Sequence, residues 1–252
     1  MRHRGTSIPR EPPGESSADL LLLVAVSLWA ANFAIVKFGV SEFNPLAFPV
    51  LRFGVGGLAM MAIVWWREGS LRVARSDLPL LVATAVLGIT LNQICFVYAL
   101  TNTNASDVAL LGATVFSSAS ALPIRPLMQR YSAWRILAFE MVVGSLLLAP
   151  IALPSLVGQD FGWVSLAGWG SLGYAVVLTG VVTNLLYFTA IDRVGPSRAA
   201  VFGYLQSFLG VLFAVALLGE RMEPIQIAGG LVVIASVVLS RAHAGPARHR
   251  AH

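Results

Sequence analysis

Ten polar or aromatic side chains lie inside long apolar stretches of this 252-residue sequence, where they are the groups best suited to contact a small solute. Amides, hydroxyls and aromatic rings can orient such a solute without trapping it, because none of them carries a charge. The candidate binding residues are Trp29, Asn32, Asn92, Gln93, Thr179, Thr183, Asn184, Tyr187, Tyr204 and Gln206. The alternative for each is a helix-to-helix hydrogen bond or ordinary packing.

Spacing places several of these residues together. Thr179, Thr183 and Tyr187 recur every four residues, which puts them on one face of a helix. Trp29 and Asn32 are one helical turn apart near the middle of another apolar stretch. The sequence therefore predicts two helix faces that offer an aromatic ring and a hydrogen-bonding group to one site.

Two charged residues also lie within apolar stretches, Arg52 and Glu140. A charge in hydrocarbon costs several kcal/mol unless it is paired or hydrated. For Glu140 the alternatives are a structural bond to a cytoplasmic arginine such as Arg135 or Arg198, or a protonatable role in coupling. For Arg52 they are attraction of an anionic solute, or snorkelling to cap neighbouring carbonyls.

Other chemistry has no visible residues to perform it. The histidines are confined to the two tails, and the one cysteine, Cys95, is expected to be a small apolar core residue. The sequence contains no Walker loop, dinucleotide fingerprint, HExxH motif or paired carboxylates at membrane depth. We therefore expect no metal, no cofactor and no enzymatic activity.

The elements that carry these residues are predicted to be membrane-spanning helices. The sequence is 57% hydrophobic and 12% charged, with a mean hydropathy of +0.77. Stretches of about 20 apolar residues are long enough to span a bilayer. We predict an all-α membrane protein with eight spans, at residues 19–38, 45–66, 78–100, 107–127, 134–153, 164–190, 197–219 and 223–241.

Basic residues predict the orientation of these spans. Most of the 17 Lys and Arg residues fall in alternate gaps between the apolar stretches, which is typical of cytoplasmic loops. Residues 1–18 are then a disordered cytoplasmic tail and residues 242–252 a basic cytoplasmic tail. The net charge of +5 is spread over short loops, so we expect contact with anionic lipid headgroups and none with nucleic acid.

The chain also aligns with itself. Asn92 and Gln93 align with Thr183 and Asn184, and in a second alignment Gly56 aligns with Gly144. By the charge pattern the aligned helices run in opposite directions, as in the inverted repeats of secondary transporters, whose substrate site lies near the bilayer midplane. The predicted division is a truncated first repeat at 19–106 and a second repeat at 107–241, although so few identities also fit chance.

The motifs "LWAANF" at 28–33, "LRF" at 51–53, "NAS" at 104–106, "GPSRAAVFGYLQ" at 195–206 and "LLGERMEP" at 217–224 resemble the drug/metabolite transporter superfamily in its EamA-domain branch. The resemblance implies a bundle of five plus five helices that moves small metabolites across the bacterial inner membrane. This chain departs from the pattern, because two of the ten helices are missing and Ser207 replaces a usual proline.

These observations predict a multi-pass inner-membrane protein with both termini in the cytoplasm. The expected function is secondary transport by alternating access, with export of amino acids, related metabolites or drugs. The alternative is a shortened relative that does not transport, or a helper that binds a membrane partner. The absence of two helices would leave part of the cavity wall open. We therefore also expect a homodimer.

Overall fold

A computed structural model describes residues 15–102 and 126–219, and every regular element in these two ranges is helical. Helix α1 covers Glu15–Glu42 and α2 covers Ala47–Glu68. At 1.5 Å per residue, the 28 residues of α1 are about 42 Å long, which exceeds the hydrocarbon thickness. The helix therefore begins within the segment that the sequence predicts to be a disordered tail.

The next span, Arg75–Asn102, is continuous but changes its winding. A 3₁₀ turn at Arg75–Asp77 leads into α3 at Leu78–Ala85, then a π-helical stretch at Val86–Leu91, and α4 at Asn92–Asn102. Pro79 lies in the first turn of α3, where a missing backbone N–H is tolerated.

Three long helical segments follow in the second described range. Helix α5 covers Ala133–Val157 and begins at Ser132, whose hydroxyl accepts a hydrogen bond from the backbone N–H of Arg135. The span Leu166–Val194 consists of α6 (Leu166–Gly173), a π-helical stretch (Tyr174–Val182) and α7 (Thr183–Val194). Gly195, with a φ of 81°, separates it from α8, Pro196–Leu218.

Five of these segments are long and apolar enough to cross a membrane. In each, half or less of the most apolar window is buried inside the protein, so large apolar side chains cover the outside, as expected of helices that face lipid. The predicted spans at 107–127 and 223–241 lie essentially outside the described residues. Cys95 is exposed, so the prediction of a core position for it is wrong.

Packing divides the described helices into two closely associated groups. Helix α1 packs mainly on α7 and α8, and α2 packs mainly on α5. The second contact is close because a Cβ on Gly57 would lie 2.9 Å from the backbone nitrogen of Val142. The π-helical stretch Tyr174–Val182 contacts both α1 and α2, so it joins the two groups.

Polar contacts tie the helix ends together on each face of the bundle. On the face with the arginines, Arg135 pairs with Glu68 at 2.5 Å and Arg130 pairs with Asp77 at 2.7 Å. On the opposite face, the backbone and side chain of Ser165 both donate to Glu42 at 2.8 Å. Loops that the charge pattern predicts to lie on the same side of the membrane therefore contact one another.

Candidate functional site

The central polar contact joins α1, α2 and the Leu166–Val194 span through Thr179. Arg52 donates from Nη2 to the Thr179 hydroxyl at 3.3 Å, and that hydroxyl lies 3.1 Å from Oδ1 of Asn32. Thr179 also donates to the carbonyl of Ala175 at 2.8 Å. Two predicted binding residues and the predicted charged residue Arg52 thus form one buried cluster.

Arg52 is only 9% exposed, and its guanidinium lies over the Phe53 ring at 4.9 Å. The expectation that it snorkels and caps backbone carbonyls does not hold, because the side chain turns inward to a hydroxyl. Insertion of an arginine at the centre of a span costs about 2.5–3.5 kcal/mol. Among the described residues no carboxylate forms an ion pair with it.

A second contact lies next to this cluster. The rings of Trp29 and Tyr187 are 5.0 Å apart and tilted by 59°, so the aromatic residue of each predicted face meets the other. Tyr174 reaches the same part of α1, where its hydroxyl donates to the carbonyl of Leu28 at 2.9 Å. Helix α1 therefore presents a ring and an amide, one turn apart, to the Leu166–Val194 span.

The π-helical winding changes what the remaining polar residues of this span do. Thr183 donates to the carbonyl of Leu178, five residues earlier, at 2.7 Å. Asn184 donates to the carbonyls of Thr179 and Gly180 at 3.2 and 3.1 Å. Both side chains donate to backbone carbonyls of their own helix, and the Leu178 carbonyl also accepts from the backbone N–H of Thr183, which fits the alternative of structural hydrogen bonding.

Asn92 and Gln93 occupy the corresponding place in the Arg75–Asn102 span. Each span has a π-helical stretch, and α4 begins at Asn92 just as α7 begins at Thr183, the residue with which Asn92 aligns. Gln93 donates to Oδ1 of Asn92 at 3.2 Å. One turn later, Phe96 meets Phe33 of α1 with ring centres 6.0 Å apart.

Glu140 lies on the other side of the bundle, on α5. It is 7% exposed and lies beside Thr84 of α3, whose hydroxyl donates to the carbonyl of Leu81 at 2.7 Å, and among the described residues its Oε1 has no hydrogen-bond partner. The predicted bond to Arg135 is wrong, because Arg135 is engaged by Glu68. The side chain of Arg198 lies outside the described residues, as does that of Tyr204, and Gln206 is partly buried on α8.

Comparison with known proteins places the chain in a family. The sequence profile of the EamA-like transporter family matches residues 16–116 and again residues 107–242. The chain belongs to the EamA-like transporter family. It is 23% identical to an uncharacterized transporter of Archaeoglobus fulgidus, in an alignment that covers 90% of this chain and 98% of that protein. That alignment is 286 positions long, more than this chain has residues, so it contains gaps in this chain.

Two shorter matches add to this EamA-like assignment. A probable terminal-alkyne amino-acid exporter of Streptantibioticus cattleyicolor is 26% identical over 52% of this chain and 43% of its own length. An aromatic amino acid exporter of Ancylobacter novellus is 41% identical over 25% of this chain and 22% of its own length. No solved structure matches the chain significantly.

Sequence reasoning missed two polar residues of this EamA-like bundle, Tyr174 and Thr84. Tyr174 lies five residues before Thr179, a spacing that falls on one face only in a π-helix, so an α-helical pattern does not connect them. Thr84 is one of two threonines in the apolar stretch 78–100, and nothing in the sequence except a carboxylate on another span distinguishes it. Within the described ranges no group of His, Cys, Asp and Glu is arranged to hold a metal.

Proposed function

We propose that this EamA-like protein is a secondary transporter that exports small metabolites, amino acids or similar compounds, across the bacterial inner membrane by alternating access. Family membership supports transport in general. Two relatives are named as exporters of amino acids, which favours this class of solute over others.

The observation that carries the proposal is the cluster of Arg52, Thr179 and Asn32 beside the Trp29–Tyr187 pair. Polar side chains inside a membrane bundle usually mark a solute pathway, because their burial is costly unless they do something there. This cluster lies where three spans meet and combines a cation, neutral hydrogen-bonding groups and aromatic rings. Those are the groups that an amphiphilic or zwitterionic solute would contact.

Winding and packing support a two-body movement. In each of two spans a π-helical stretch precedes the polar residues, and π-helical turns are frequent at functional sites. In the proposed cycle the group α1, α7 and α8 moves against the pair α2 and α5, while the π-helical stretch Tyr174–Val182 bends between them. Inverted repeats would make the two end states similar in energy.

Glu140 is the proposed position for a coupling proton. Its carboxyl is buried with an unpartnered oxygen, and no described cation is paired with it, so protonation would remove a costly charge. The corresponding experiment is flux with and without a proton gradient. Flux of Glu140→Gln should continue along the solute gradient and lose its acceleration by the proton gradient.

The test of the main proposal is a flux assay in proteoliposomes with a panel of amino acids and related compounds. Asn32→Ala should abolish most flux, because it removes the amide next to Thr179. Thr183→Ala is the matched control, since its hydroxyl bonds only to its own helix. No flux of any compound, from protein with intact helicity, would favour the alternative of a helper or inactive relative.

A homodimer is proposed to complete the transporter, since the alignment gaps fit a chain that is shorter than its relatives. In that arrangement a second copy covers the bundle surface that the missing helix pair would otherwise cover. Reconstitution at one copy per vesicle tests whether a single copy can transport, with flux as the measurement. Flux from such single copies would contradict the dimer and leave the transport proposal intact.

A further inference from the structure

The guanidinium of Arg52 has more hydrogen-bond donors than its surroundings accept. A guanidinium carries five N–H groups, and the described partner of this one is a single hydroxyl, bonded to Nη2. Nε is buried and has no hydrogen-bond partner in the part of the chain that the structure describes. The side chain is more than nine-tenths buried, so water does not easily take the place of the missing acceptor.

The geometry of the spare donors indicates which group they fit. Nε and Nη2 point their N–H groups in parallel from one edge of the guanidinium, and a carboxylate accepts two parallel hydrogen bonds from such an edge. Nη2 has two hydrogens, so one remains after the bond to Thr179. A neutral acceptor would fill one of these positions and leave the charge uncompensated.

Neighbouring groups fit the rest of such a molecule. The Tyr174 hydroxyl is close enough to Arg52 to interact with it electrostatically, and it is bonded to the α1 carbonyl of Leu28. The Trp29 and Tyr187 rings lie on the same two helices as Asn32 and Thr179. A solute whose carboxylate lies at Arg52 would therefore have aromatic rings on the same two helices to contact its apolar side chain.

We propose that Arg52 is the receptor for the carboxylate of the transported solute, binding it through Nε and Nη2 while Thr179 holds the guanidinium in place. This inference rests on the proposed transport function and narrows its solute class to carboxylates with an apolar or aromatic side chain. The Arg52 guanidinium is then paired with the carboxylate during transport. Between cycles some of its N–H donors have no acceptor, which favours capture of the next solute.

A purely structural role is the competing explanation. In that case Arg52 would only join α2 to the Leu166–Val194 span through Thr179, and its removal would affect all solutes equally. The carboxylate role predicts instead that the loss depends on the solute. Compounds that differ only in the carboxylate therefore separate the two roles.

The experiment uses the full chain and three probes: L-phenylalanine, 3-phenylpropionate and phenethylamine. The first two contain a carboxylate, and the third is the amine without it. Binding is measured in detergent by calorimetry, and flux of labelled L-phenylalanine is measured in proteoliposomes with the other two as competitors. The variants are Arg52→Gln, which removes the charge, and Arg52→Lys, which retains the charge but lacks the two parallel N–H donors of the guanidinium.

We expect 3-phenylpropionate to compete and phenethylamine not to compete in the unmodified protein. Arg52→Gln should weaken binding of both carboxylates by about 10- to 100-fold, the range for hydrogen bonds to charged groups. Arg52→Lys should weaken it less. Leu58→Ala, which shortens an exposed side chain on the same helix as Arg52, is the control that should retain affinity.

Each other outcome overturns one of the two claims. Equal competition by phenethylamine, or unchanged carboxylate affinity in a folded Arg52→Gln variant, contradicts the receptor role and leaves transport standing. Arg52-dependent binding without any flux supports the receptor and contradicts transport. Absence of both binding and flux for carboxylates contradicts the receptor, and flux of other solutes then decides the transport proposal.

Discussion

Thr179 is the residue on which the candidate site depends most directly. Its hydroxyl accepts from Arg52 and lies within reach of Asn32, so it connects three spans through one oxygen. Thr183, one turn along, has the same chemistry and donates only to its own helix. A comparison of Thr179 with Thr183 therefore distinguishes the effect of a hydrogen bond between helices from that of a hydrogen bond within one helix.

Thr179→Val should therefore destabilise the protein more than Thr183→Val. Valine has the same shape as threonine, so the first change removes the acceptor of Arg52 and little else. Hydrogen bonds between membrane helices are worth about 0.6–1.7 kcal/mol. We expect Thr179→Val to lower the free energy of unfolding by about this amount or more. Unfolding in mixed micelles with increasing sodium dodecyl sulfate measures the free energy. Equal losses in both variants would show that Thr179 does not join the helices.

Neutralisation of Glu68 and neutralisation of Glu140 should have different effects on the free energy of unfolding. Glu68→Gln breaks contacts with Arg135 and with Ser132, so it should cost about 1.5–3 kcal/mol. Glu140→Gln removes a buried carboxylate that has no described cationic partner, so it should leave stability unchanged or raise it. The same unfolding titration compares them. A large loss on Glu140→Gln would indicate an ion pair, because breaking a buried pair costs about 3–5 kcal/mol.

At the scale of helices, the close contact between α2 and α5 is the structural basis of the proposed rigid pair. A Cβ on Gly57 would meet the backbone of Val142, which cannot move away as a side-chain tip can. Ser145 adds a hydrogen bond from its hydroxyl to the carbonyl of Val50 at 3.1 Å. Two helices in such contact are expected to move together.

Gly57→Ala should separate these helices and destabilise the protein by about 1–3 kcal/mol, the usual cost of overpacking. Gly170→Ala is the matched control, because a Cβ there meets nothing within 4 Å. Alanine favours helix over glycine by about 1 kcal/mol, so the control should be neutral or slightly stabilising. Thermal unfolding in one detergent ranks the two variants. A neutral Gly57→Ala would mean that α2 and α5 are not rigidly joined.

The winding of the spans shows where sequence reasoning stops. Apolar length predicted the described helices to within a few residues at most ends, because hydrocarbon thickness sets that length. The π-helical stretches at Val86–Leu91 and Tyr174–Val182 were not predictable, since nothing in an apolar sequence distinguishes a turn of one extra residue. The contact between Asn32 and Thr179 required this winding together with the packing of α1.

For the whole molecule, composition and charge predicted a helical membrane protein, and short sequence motifs predicted the family, which is confirmed. The hydrogen bond of Arg52 to Thr179 instead of to a carbonyl, and the position of Glu140 beside Thr84 instead of beside an arginine, depend on which spans are neighbours. Single-sequence patterns do not fix that neighbourhood. Orientation in the membrane is likewise a prediction from the charge pattern, and the two sets of tied loops provide sites to test it.

Cysteine labelling tests the predicted orientation of the bundle. In a Cys95→Ser background, Gly162→Cys lies in an exposed loop on the face where Ser165 bonds to Glu42. Ala74→Cys lies in the exposed loop on the arginine-bearing face, where its backbone N–H donates to Tyr131. If the arginine-bearing face is cytoplasmic, a membrane-impermeant maleimide should label Gly162→Cys in intact spheroplasts and Ala74→Cys only after permeabilisation. The reverse pattern would invert the bundle. In the inverted bundle the arginine-bearing face would be periplasmic. A solute that enters from that face would then be imported and not exported.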